Sequence, residues 1–389
     1  MLGAMIGDVI GSVFEFDNCR TKDFILFGSR NRMTDDSIMT LAVMEIMQKK
    51  LYHDRDKIID TFKKWGRAYP RRGYGGMFRN WLFSDMRESY NSYGNGAAMR
   101  ISPVGYYAKS EEEVIEISRK ITEVTHSHPE GIKGAEVTAM CIYYAKIGKS
   151  KEFIKEYVSR NYDLDFDYEW LNSHYQFNET CQGTVPQAVY CFLISNDYED
   201  CIRTTISIGG DSDTLAAISG AIAEAYYKHI NAYILGEFLY YIPKENAGCD
   251  PTKVVSDYIY YNSSILCSSE IIENDTKILS IIENNTVHFN YSKQLKALIG
   301  CAIELIVDKK SSITTEEFRD LIEKLFYVNS IESANKVLED YCKEKIEDFS
   351  LIIYSNPIEA LSMLQNSNCG TSTKFYEEIF NNSYKIITE

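Results

Sequence analysis

The chain has 389 residues and a formal net charge of −15; 45% of its residues are hydrophobic, 13% aromatic and 25% charged. This composition is typical of folded globular proteins and excludes collagen-like and disordered classes. The acidic balance, with a pI near 5.0, argues against a protein that coats nucleic acid or binds anionic membranes, because both would require a basic face.

The cysteines and the N-terminal segment bear on the cellular compartment. The ten cysteines are scattered without a Cys-x-x-Cys pair, which excludes a zinc knuckle or redox motif and is typical of a reduced, intracellular protein. The first segment, MLGAMIGDVIGSVF, lacks the basic start of a signal peptide and is interrupted by Asp8. No stretch reaches the roughly 18 apolar residues that a membrane span needs. The sequence therefore predicts a soluble, cytoplasmic protein.

Helix-like apolar spacing runs through the whole chain, whereas strand-like alternation is sparse. In chain order the spacing predicts helices over residues 1–16, 35–50, 55–67, 76–85, 111–124, 129–146, 151–160, 185–195, 198–207 and 213–230. It predicts further helices over residues 270–283, 293–307, 315–327, 331–345 and 357–365. The expected fold is all-α: a compact multi-helix globule with a smaller C-terminal helical region.

The composition changes near residue 250. Twenty of the 22 glycines, six of the seven prolines and all three tryptophans lie at or before Pro251. Because glycines and prolines mark the loops that carry sites, we expect a catalytic domain over residues 1–250. Residues 256–389 are expected to form a helical region that contacts a protein partner, the modified target or another copy, or that packs over the catalytic domain for stability.

Two acidic clusters each open an apolar, helical segment. Their carboxylate and hydroxyl oxygens suit magnesium, manganese or calcium. The alternative is N-capping, since Thr and Asp at a helix start accept backbone N–H bonds. An EF-hand is excluded because Ala216 and Ile222 stand where its glycine and glutamate belong. The clusters are Thr34-Asp35-Asp36 and Asp211-Ser212-Asp213-Thr214.

The first predicted helix combines a glycine face with two carboxylates. Gly3, Gly7 and Gly11 recur every four residues, so one face is almost bare and allows close helix packing. Asp8 and Glu15 are seven residues apart and are expected on nearly the same face. They are either solvated surface acids or functional carboxylates within an apolar run.

Two glycine-rich loops and a histidine pair follow. The loops at Gly73–Gly76 and 92–96 match neither a dinucleotide fingerprint nor a P-loop. They could cradle a pyrophosphate with backbone N–H groups or simply connect helices. His126 and His128 precede a helix, where they either contact a ligand or cap the helix.

Five motifs in this order, GDVIGSVFE, TDDS, SYGNGAAMR, THSHP and GGDSDT, resemble the ADP-ribosylglycohydrolase family. This family includes the dinitrogenase reductase-activating glycohydrolase and a serine-directed branch, and the resemblance covers about residues 1–245. It implies an all-α globule with a binuclear magnesium or manganese centre at the bottom of an ADP-ribose cleft.

The resemblance also implies roles for individual residues, with Glu15 as the catalytic residue. The expected ligands of the two metal ions are Thr34, Asp35, Asp36, Asp211, Asp213 and Thr214. Together with the arguments from the first helix and the glycine loops, it gives the expected substrate-binding residues: Asp8, Gly73, Gly75, Gly76, Ser92, Tyr93, Gly94, Asn95 and His126.

The implied reaction is hydrolysis of the glycosidic bond between ADP-ribose and an acceptor, which releases ADP-ribose and reverses ADP-ribosylation. The expected substrate is an ADP-ribosylated protein or a small ADP-ribose conjugate, and the expected state is a monomer that binds neither membrane nor nucleic acid. The alternatives are an ADP-ribose-binding module without activity and a metal-dependent phosphohydrolase.

The chain departs from the family pattern at three places. Ser37 stands where the first metal motif usually ends in threonine, and the segment IPKEN at 242–246 replaces the usual Ile-Pro-Glu-Glu-Trp. The loop at 74–77 lacks the acidic residue that some nitrogenase-type and arginine-directed members carry. This last departure argues against cleavage of arginine linkages.

Overall fold

The computed structural model of the chain describes residues 1–261, and helices joined by loops make up this part. Within it no β-strand forms; the isolated β-bridges pair Gly94 with Thr180 and Asn246 with Cys249. The prediction of an all-α fold is confirmed. The helices are α1 (Leu2–Gly11), α2 (Asp35–Gln48), α3 (Arg55–Ala68), α4 (Gly76–Phe83), α5 (Gly96–Met99), α6 (Ser102–Tyr107), α7 (Glu111–Thr122), α8 (Pro129–Lys146), α9 (Lys151–Ser159), α10 (Tyr168–His174), α11 (Cys181–Ile194), α12 (Tyr198–Ser207), α13 (Ser212–Tyr227), α14 (Ala232–Leu239) and α15 (Pro251–Tyr261).

Several helix ends differ from the sequence predictions. The first helix ends at Gly11 rather than at residue 16, and α11 begins at Cys181 rather than at 185. Thr180 explains the earlier start of α11, because its side chain caps the helix by accepting from the Gly183 N–H. The helices α5, α6, α10, α14 and α15 were not predicted; the shorter ones span too few residues for a period to be read. The helices predicted after residue 261 lie outside the described residues.

The described chain divides into two units. Residues 1–231 and 241–255 form one compact unit, and residues 232–240 and 256–261 belong to a second. The division into domains at 1–250 and 256–389 stays a prediction. Among residues 1–261 no helix combines the length and the apolar character needed to cross a membrane.

The glycine face of α1 packs directly on α13, near the two acidic clusters. A methyl group added at Gly3 would overlap the Gly220 carbonyl, and one added at Gly7 would overlap the Ala216 carbonyl. The carboxylate of Glu224 on α13 also accepts the Gly3 N–H at 2.8 Å. The predicted close helix packing is confirmed, and it brings the end of α1 to the start of α13.

Replacing Gly7 with Ala should destabilise the protein by about 3 kcal/mol, because the added methyl group forces two packed backbones apart. Thermal unfolding of the variant measures this loss. Gly76→Ala is the matched control, since no atom lies within 4 Å of a methyl group added there. An unchanged melting temperature for Gly7→Ala would contradict the close packing of α1 on α13.

Candidate active site

Glu15 lies on the loop that follows α1, so the prediction that it shares a helical face with Asp8 is wrong. The helix ends at Gly11, where a methyl group would come within 2.5 Å of the Asp213 Cα. The Ser12 hydroxyl then donates to the Val9 carbonyl at 2.8 Å and occupies a helix-end acceptor. The chain therefore leaves the helical path after Gly11, beside the start of α13.

Asn18 fastens this loop to the glycine turn that precedes the second acidic cluster. Its side-chain NH₂ donates to the carbonyls of Phe14 at 2.7 Å and Gly210 at 2.9 Å. The Gly210 N–H donates back to the Asn18 side-chain oxygen at 2.9 Å. Gly209 and Gly210 adopt φ angles of 70° and 81°, which favour glycine. The loop that carries Glu15 is thus held against the segment that carries Asp211.

Asp8 anchors the first acidic cluster. Its fully buried carboxylate accepts the Thr34 N–H at 3.0 Å and the Thr34 hydroxyl at 2.7 Å, and it also accepts the N–H and hydroxyl of Ser37. Ser37 therefore keeps the hydroxyl function of the usual threonine. The Thr34 hydroxyl in turn accepts the Asp36 N–H and caps α2. Asp8 thereby ties α1 to the start of α2; its predicted substrate contact stays a prediction.

The second acidic cluster is not explained by helix capping. Asp211 occupies the N-cap position of α13, yet its side chain makes no capping hydrogen bond. Its carboxylate instead accepts from the Asn95 side chain at 2.7 Å. Asp213 lies in the first turn, where one of its oxygens accepts the Thr214 N–H at 3.1 Å. Both carboxylates are buried and remain able to bind a cation.

The loop and the two clusters converge at one place. Carboxylate oxygens of Glu15, Asp211 and Asp213 all lie within 4.8 Å of one another. Asp36 presents a buried oxygen, Oδ1, that has no hydrogen-bond partner among the described residues. Such a buried, unpartnered carboxylate oxygen is costly unless a cation compensates it.

Burial raises the pKa of every acidic side chain of the two clusters, of Asp8 and of Glu15, and repulsion between neighbours raises all of them except Asp213 further. Burial, followed by repulsion from Asp213, raises the pKa of Asp8 to about 7 and that of Glu15 to about 8. The same two causes hold the pKa values of Asp35, Asp36 and Asp211 well above the usual range, and burial raises the pKa of Asp213. A bound cation would oppose these shifts, because it favours the ionised forms.

The residues at this site fit a divalent metal. The donors are carboxylate and hydroxyl oxygens, which are the ligands that magnesium and manganese prefer. The unpartnered Asp36 oxygen and the uncapped Asp211 carboxylate are free to serve as ligands. The three carboxylates that lie within 4.8 Å of one another are those of Glu15, the expected catalytic residue, and of Asp211 and Asp213, two of the expected ligands.

Metal-free protein should lose stability as the pH rises from 5 to 8. The folded pKa of Asp8 lies near 7, above its unfolded value, so folded protein binds more protons in this range and the free energy of unfolding falls with pH. The loss is about 3 kcal/mol for one such group. Melting temperatures in excess chelator should drop by several degrees, and magnesium should restore more stability at pH 8 than at pH 5. A melting temperature that rises with pH would contradict the assignment.

Replacing Asp213 with Asn tests the cause of this pH dependence. Asp213 is the charge that most strongly raises the pKa values of its neighbours. Its removal should therefore flatten the fall in stability with pH.

The first glycine loop lies beside the first acidic cluster. The backbone carbonyl of Arg72 accepts the Asp35 N–H at 2.8 Å. Gly73 adopts a φ of 101°, and a methyl group there would lie 3.1 Å from an Asp35 carboxylate oxygen. Gly75 and Gly76, at the start of α4, have open space beside them. Their predicted contact with a pyrophosphate stays a prediction.

The second glycine loop, residues 92–96, reaches the second acidic cluster through Asn95. The Asn95 side chain donates to Asp211, and its backbone N–H donates to the Glu179 carbonyl at 2.7 Å. The Gly94 N–H donates to the Ser92 hydroxyl at 3.1 Å, whereas Tyr93 is exposed. Asn95 therefore links the expected substrate loop to an expected metal ligand.

The two histidines have different positions. His128 caps α8 by accepting the Glu130 N–H at 3.1 Å. His126 is buried; its Nδ1 lies 2.8 Å from the Thr125 hydroxyl and 3.4 Å from the Arg100 guanidinium. Burial and then Arg100 hold the pKa of His126 well below its usual range, which favours neutral imidazole. Its other nitrogen faces the glycine loop, 3.4 Å from a methyl group added at Gly96.

The structure also shows residues near the site that sequence reasoning missed. Asn18 positions the Glu15 loop, and the positive charge of Arg32 acts on Glu15 and Asp213. Arg100 is a buried guanidinium packed 4.4 Å from the Phe62 ring centre. Arg100 is the last residue of the SYGNGAAMR motif, so the sequence could have indicated it. Asn18 and Arg32 lie outside the five motifs.

Comparison with known proteins places this site in a family. Residues 1–237 match the family model described as ADP-ribosylglycohydrolase. The ADP-ribosylhydrolase ARH3 of Homo sapiens is 26% identical, with 58% of this chain and 84% of that protein covered. The ADP-ribosyl-(dinitrogen reductase) glycohydrolase of Rhodospirillum rubrum is 25% identical, with 58% and 83% covered.

A solved structure described as an ADP-ribosylglycohydrolase-related protein complex is also similar. It is 23% identical, its TM-score is 0.46, and 58% of this chain and 85% of that chain are covered. The matched region 1–237 includes Glu15, both acidic clusters, both glycine loops and His126. The family model spans more than half of the chain, and on this ground the chain belongs to the ADP-ribosylglycohydrolase family.

Proposed function

We propose that this protein is a divalent-metal-dependent hydrolase that cleaves the glycosidic bond between ADP-ribose and an acceptor. The observation that carries the proposal is the convergence of Glu15, Asp211 and Asp213 within 4.8 Å, beside a buried Asp36 oxygen without a partner. Six carboxylates from three segments are held together there, which costs free energy unless a cation is bound. Family membership supports the choice of ADP-ribose as the glycosyl group.

The expected ligands of two magnesium or manganese ions are those of the two acidic clusters. A bound cation would orient the ribose and lower the pKa of a water molecule. The chain's own part is to hold the ligands: Asp8 fixes the start of α2, and Asn95 fixes the Asp211 carboxylate. The ligands are Thr34, Asp35, Asp36, Asp211, Asp213 and Thr214.

Glu15 is the proposed acid–base residue. Hydrolysis at the anomeric carbon of a ribose passes through an oxocarbenium-like transition state, and a nearby carboxyl group moves the proton that the water loses. Glu15 is partly exposed, so its carboxyl group can reach substrate, and Asn18 holds its loop in place. An aspartate of the metal site is the alternative.

The test is a release assay with defined substrates. Purified protein is incubated with magnesium and mono-ADP-ribosylated peptides, O-acetyl-ADP-ribose and free ADP-ribose, and the products are separated. Free ADP-ribose released from a conjugate supports the proposal. Release of phosphate would indicate a phosphohydrolase, and tight ADP-ribose binding without any release would indicate a binding module.

We expect the protein to cleave ADP-ribose from serine faster than from arginine. The loop at 74–77 contains no acidic residue, and charge pairing is the most direct way to recognise a guanidinium. Peptides that carry the same sequence with ADP-ribose on serine or on arginine measure the preference. Faster release from the arginine-linked peptide would contradict this prediction.

A further inference from the structure

Phe16 and Phe177 form an exposed aromatic pair next to the proposed catalytic residue. Phe16 directly follows Glu15 and is 81% exposed, and Phe177 is 41% exposed. Their ring centres lie 5.8 Å apart at an interplanar angle of 30°. Phe14, two residues earlier, packs its ring edge-on against Phe24 at 4.9 Å. Each phenylalanine of the loop thus contacts another ring, but only Phe16 is largely exposed.

Both segments that carry the pair are fastened to the candidate active site. Asn18 joins the Phe16 loop to Gly210, the residue before Asp211. The Phe177 segment is joined through the Glu179 carbonyl, which accepts the Asn95 N–H at 2.7 Å. Each of the two segments is therefore hydrogen-bonded to a residue that neighbours or contacts Asp211.

Acidic residues flank both rings. Asp17 follows Phe16, Glu179 lies two residues after Phe177, and both are exposed. Glu179 lies close enough to Glu15 for their charges to repel. Three acidic residues, Glu15, Asp17 and Glu179, therefore lie within two positions of these rings along the chain.

The two cations that follow Asp17 on the same loop, Arg20 and Lys22, have other partners than Asp17 and Glu179. The Arg20 guanidinium donates to the carbonyls of Asn172, Ile208 and Tyr175. Lys22 pairs with Asp200 at 3.0 Å. The charge of Arg32 acts on Glu15 and offsets part of the acidic charge there, whereas Arg20 and Lys22 bind elsewhere.

We infer that the Phe16–Phe177 pair, with Asp17 and Glu179, binds a basic side chain of the acceptor polypeptide that flanks the modified residue. The inference rests on the proposed function, since the acceptor must lie beside the catalytic carboxylate when its bond to ADP-ribose is cleaved. Lysine and arginine are attracted both to aromatic faces and to the neighbouring carboxylates. An acidic flank would be repelled, so the surface selects among acceptors by charge.

The experiment compares three substrates that carry one linkage, the one that the wild-type protein cleaves in the release assay. Two are peptides that differ only in a Lys or a Glu next to the modified residue. The third is the same linkage on a single capped amino acid. We expect wild-type kcat/KM to be about tenfold higher for the Lys peptide than for the Glu peptide, in line with a cation–π contact supported by charge.

Two double variants test which side chains cause the preference for the Lys peptide. Phe16→Ala combined with Phe177→Ala should raise KM for the Lys peptide by about tenfold. Its kcat for that peptide and its kcat/KM for the single-residue substrate should stay within about twofold of wild type. Asp17→Asn combined with Glu179→Gln should remove the preference for Lys over Glu. Phe153→Ala is the matched control, because it removes a 39% exposed ring on α9, and it should change neither value.

The outcomes separate the two proposals. Release from none of the three substrates overturns the proposed function. Equal kcat/KM for the Lys and Glu peptides overturns the inference alone. The inference is also overturned if the phenylalanine variant loses kcat/KM equally on the Lys peptide and on the single-residue substrate. A concentration-dependent dimer that is lost in the phenylalanine variant would assign the pair to contact with a second copy and would overturn the inference.

Discussion

Replacing Glu15 with Gln should slow the release of ADP-ribose by about 100-fold or more, in line with general acid–base catalysis. The amide keeps the size of the side chain but cannot accept the proton of the attacking water. ADP-ribose affinity should stay near the wild-type value, because the loop is held by Asn18 and not by the Glu15 side chain. Single-turnover rates, together with calorimetric titration of ADP-ribose, measure the two effects separately.

Asp17→Asn is the control for this substitution. Asp17 is an exposed carboxylate on the same loop, and on the single-residue substrate its loss should leave the rate within about twofold of wild type. Near-wild-type turnover in Glu15→Gln would instead assign the proton transfer to an aspartate of the metal site.

Removing the divalent metal should abolish activity, and Asp213→Asn should mimic that removal. Asp213 is buried within 4.8 Å of two other carboxylates, and the asparagine cannot supply the negative charge that a divalent cation requires. We expect the variant to fold and to bind magnesium or manganese at least about tenfold more weakly, with turnover reduced by about 100-fold or more. Metal titration by calorimetry and release of ADP-ribose after chelation and metal add-back measure both.

Asp167→Asn is the matched control for Asp213→Asn. Asp167 also stands at a helix start, but its side chain accepts the Trp170 N–H at 2.8 Å, a bond that asparagine can make. This variant should bind metal and turn over as the wild type does. Full activity of wild-type protein in excess chelator would overturn the metal dependence.

The residues of the candidate site were identified by their types and order along the chain. Carboxylates with hydroxyls at two helix starts indicate a hard cation, and the glycine spacing at 3, 7 and 11 indicates a close helix contact. Both follow from short-range rules, because a helix start and a four-residue repeat are local properties. The same rules could not decide between capping and metal binding, since both use the same residues at the same positions.

The tertiary structure shows which of these side chains cap a helix, whereas metal binding stays a prediction. Thr34 does cap α2, whereas the Asp211 side chain forms no cap and turns to Asn95, a residue 116 positions away in the chain. Side-chain partners at such separations depend on how the helices pack, and no local pattern records them. The packing therefore assigns Asp211 to the acidic centre.

The position of Glu15 shows the division between sequence and tertiary structure most clearly. The apolar pattern continues to residue 16 and by itself predicts a helix that long. The helix ends at Gly11, and Glu15 lies on the loop that follows, beside a helix that starts 200 residues later in the chain. By itself the sequence determined the all-α class, the family and the chemical types at the site. Only the tertiary structure decided that Glu15 lies on a loop together with Asp211 and Asp213, because tertiary context overrides local helix propensity.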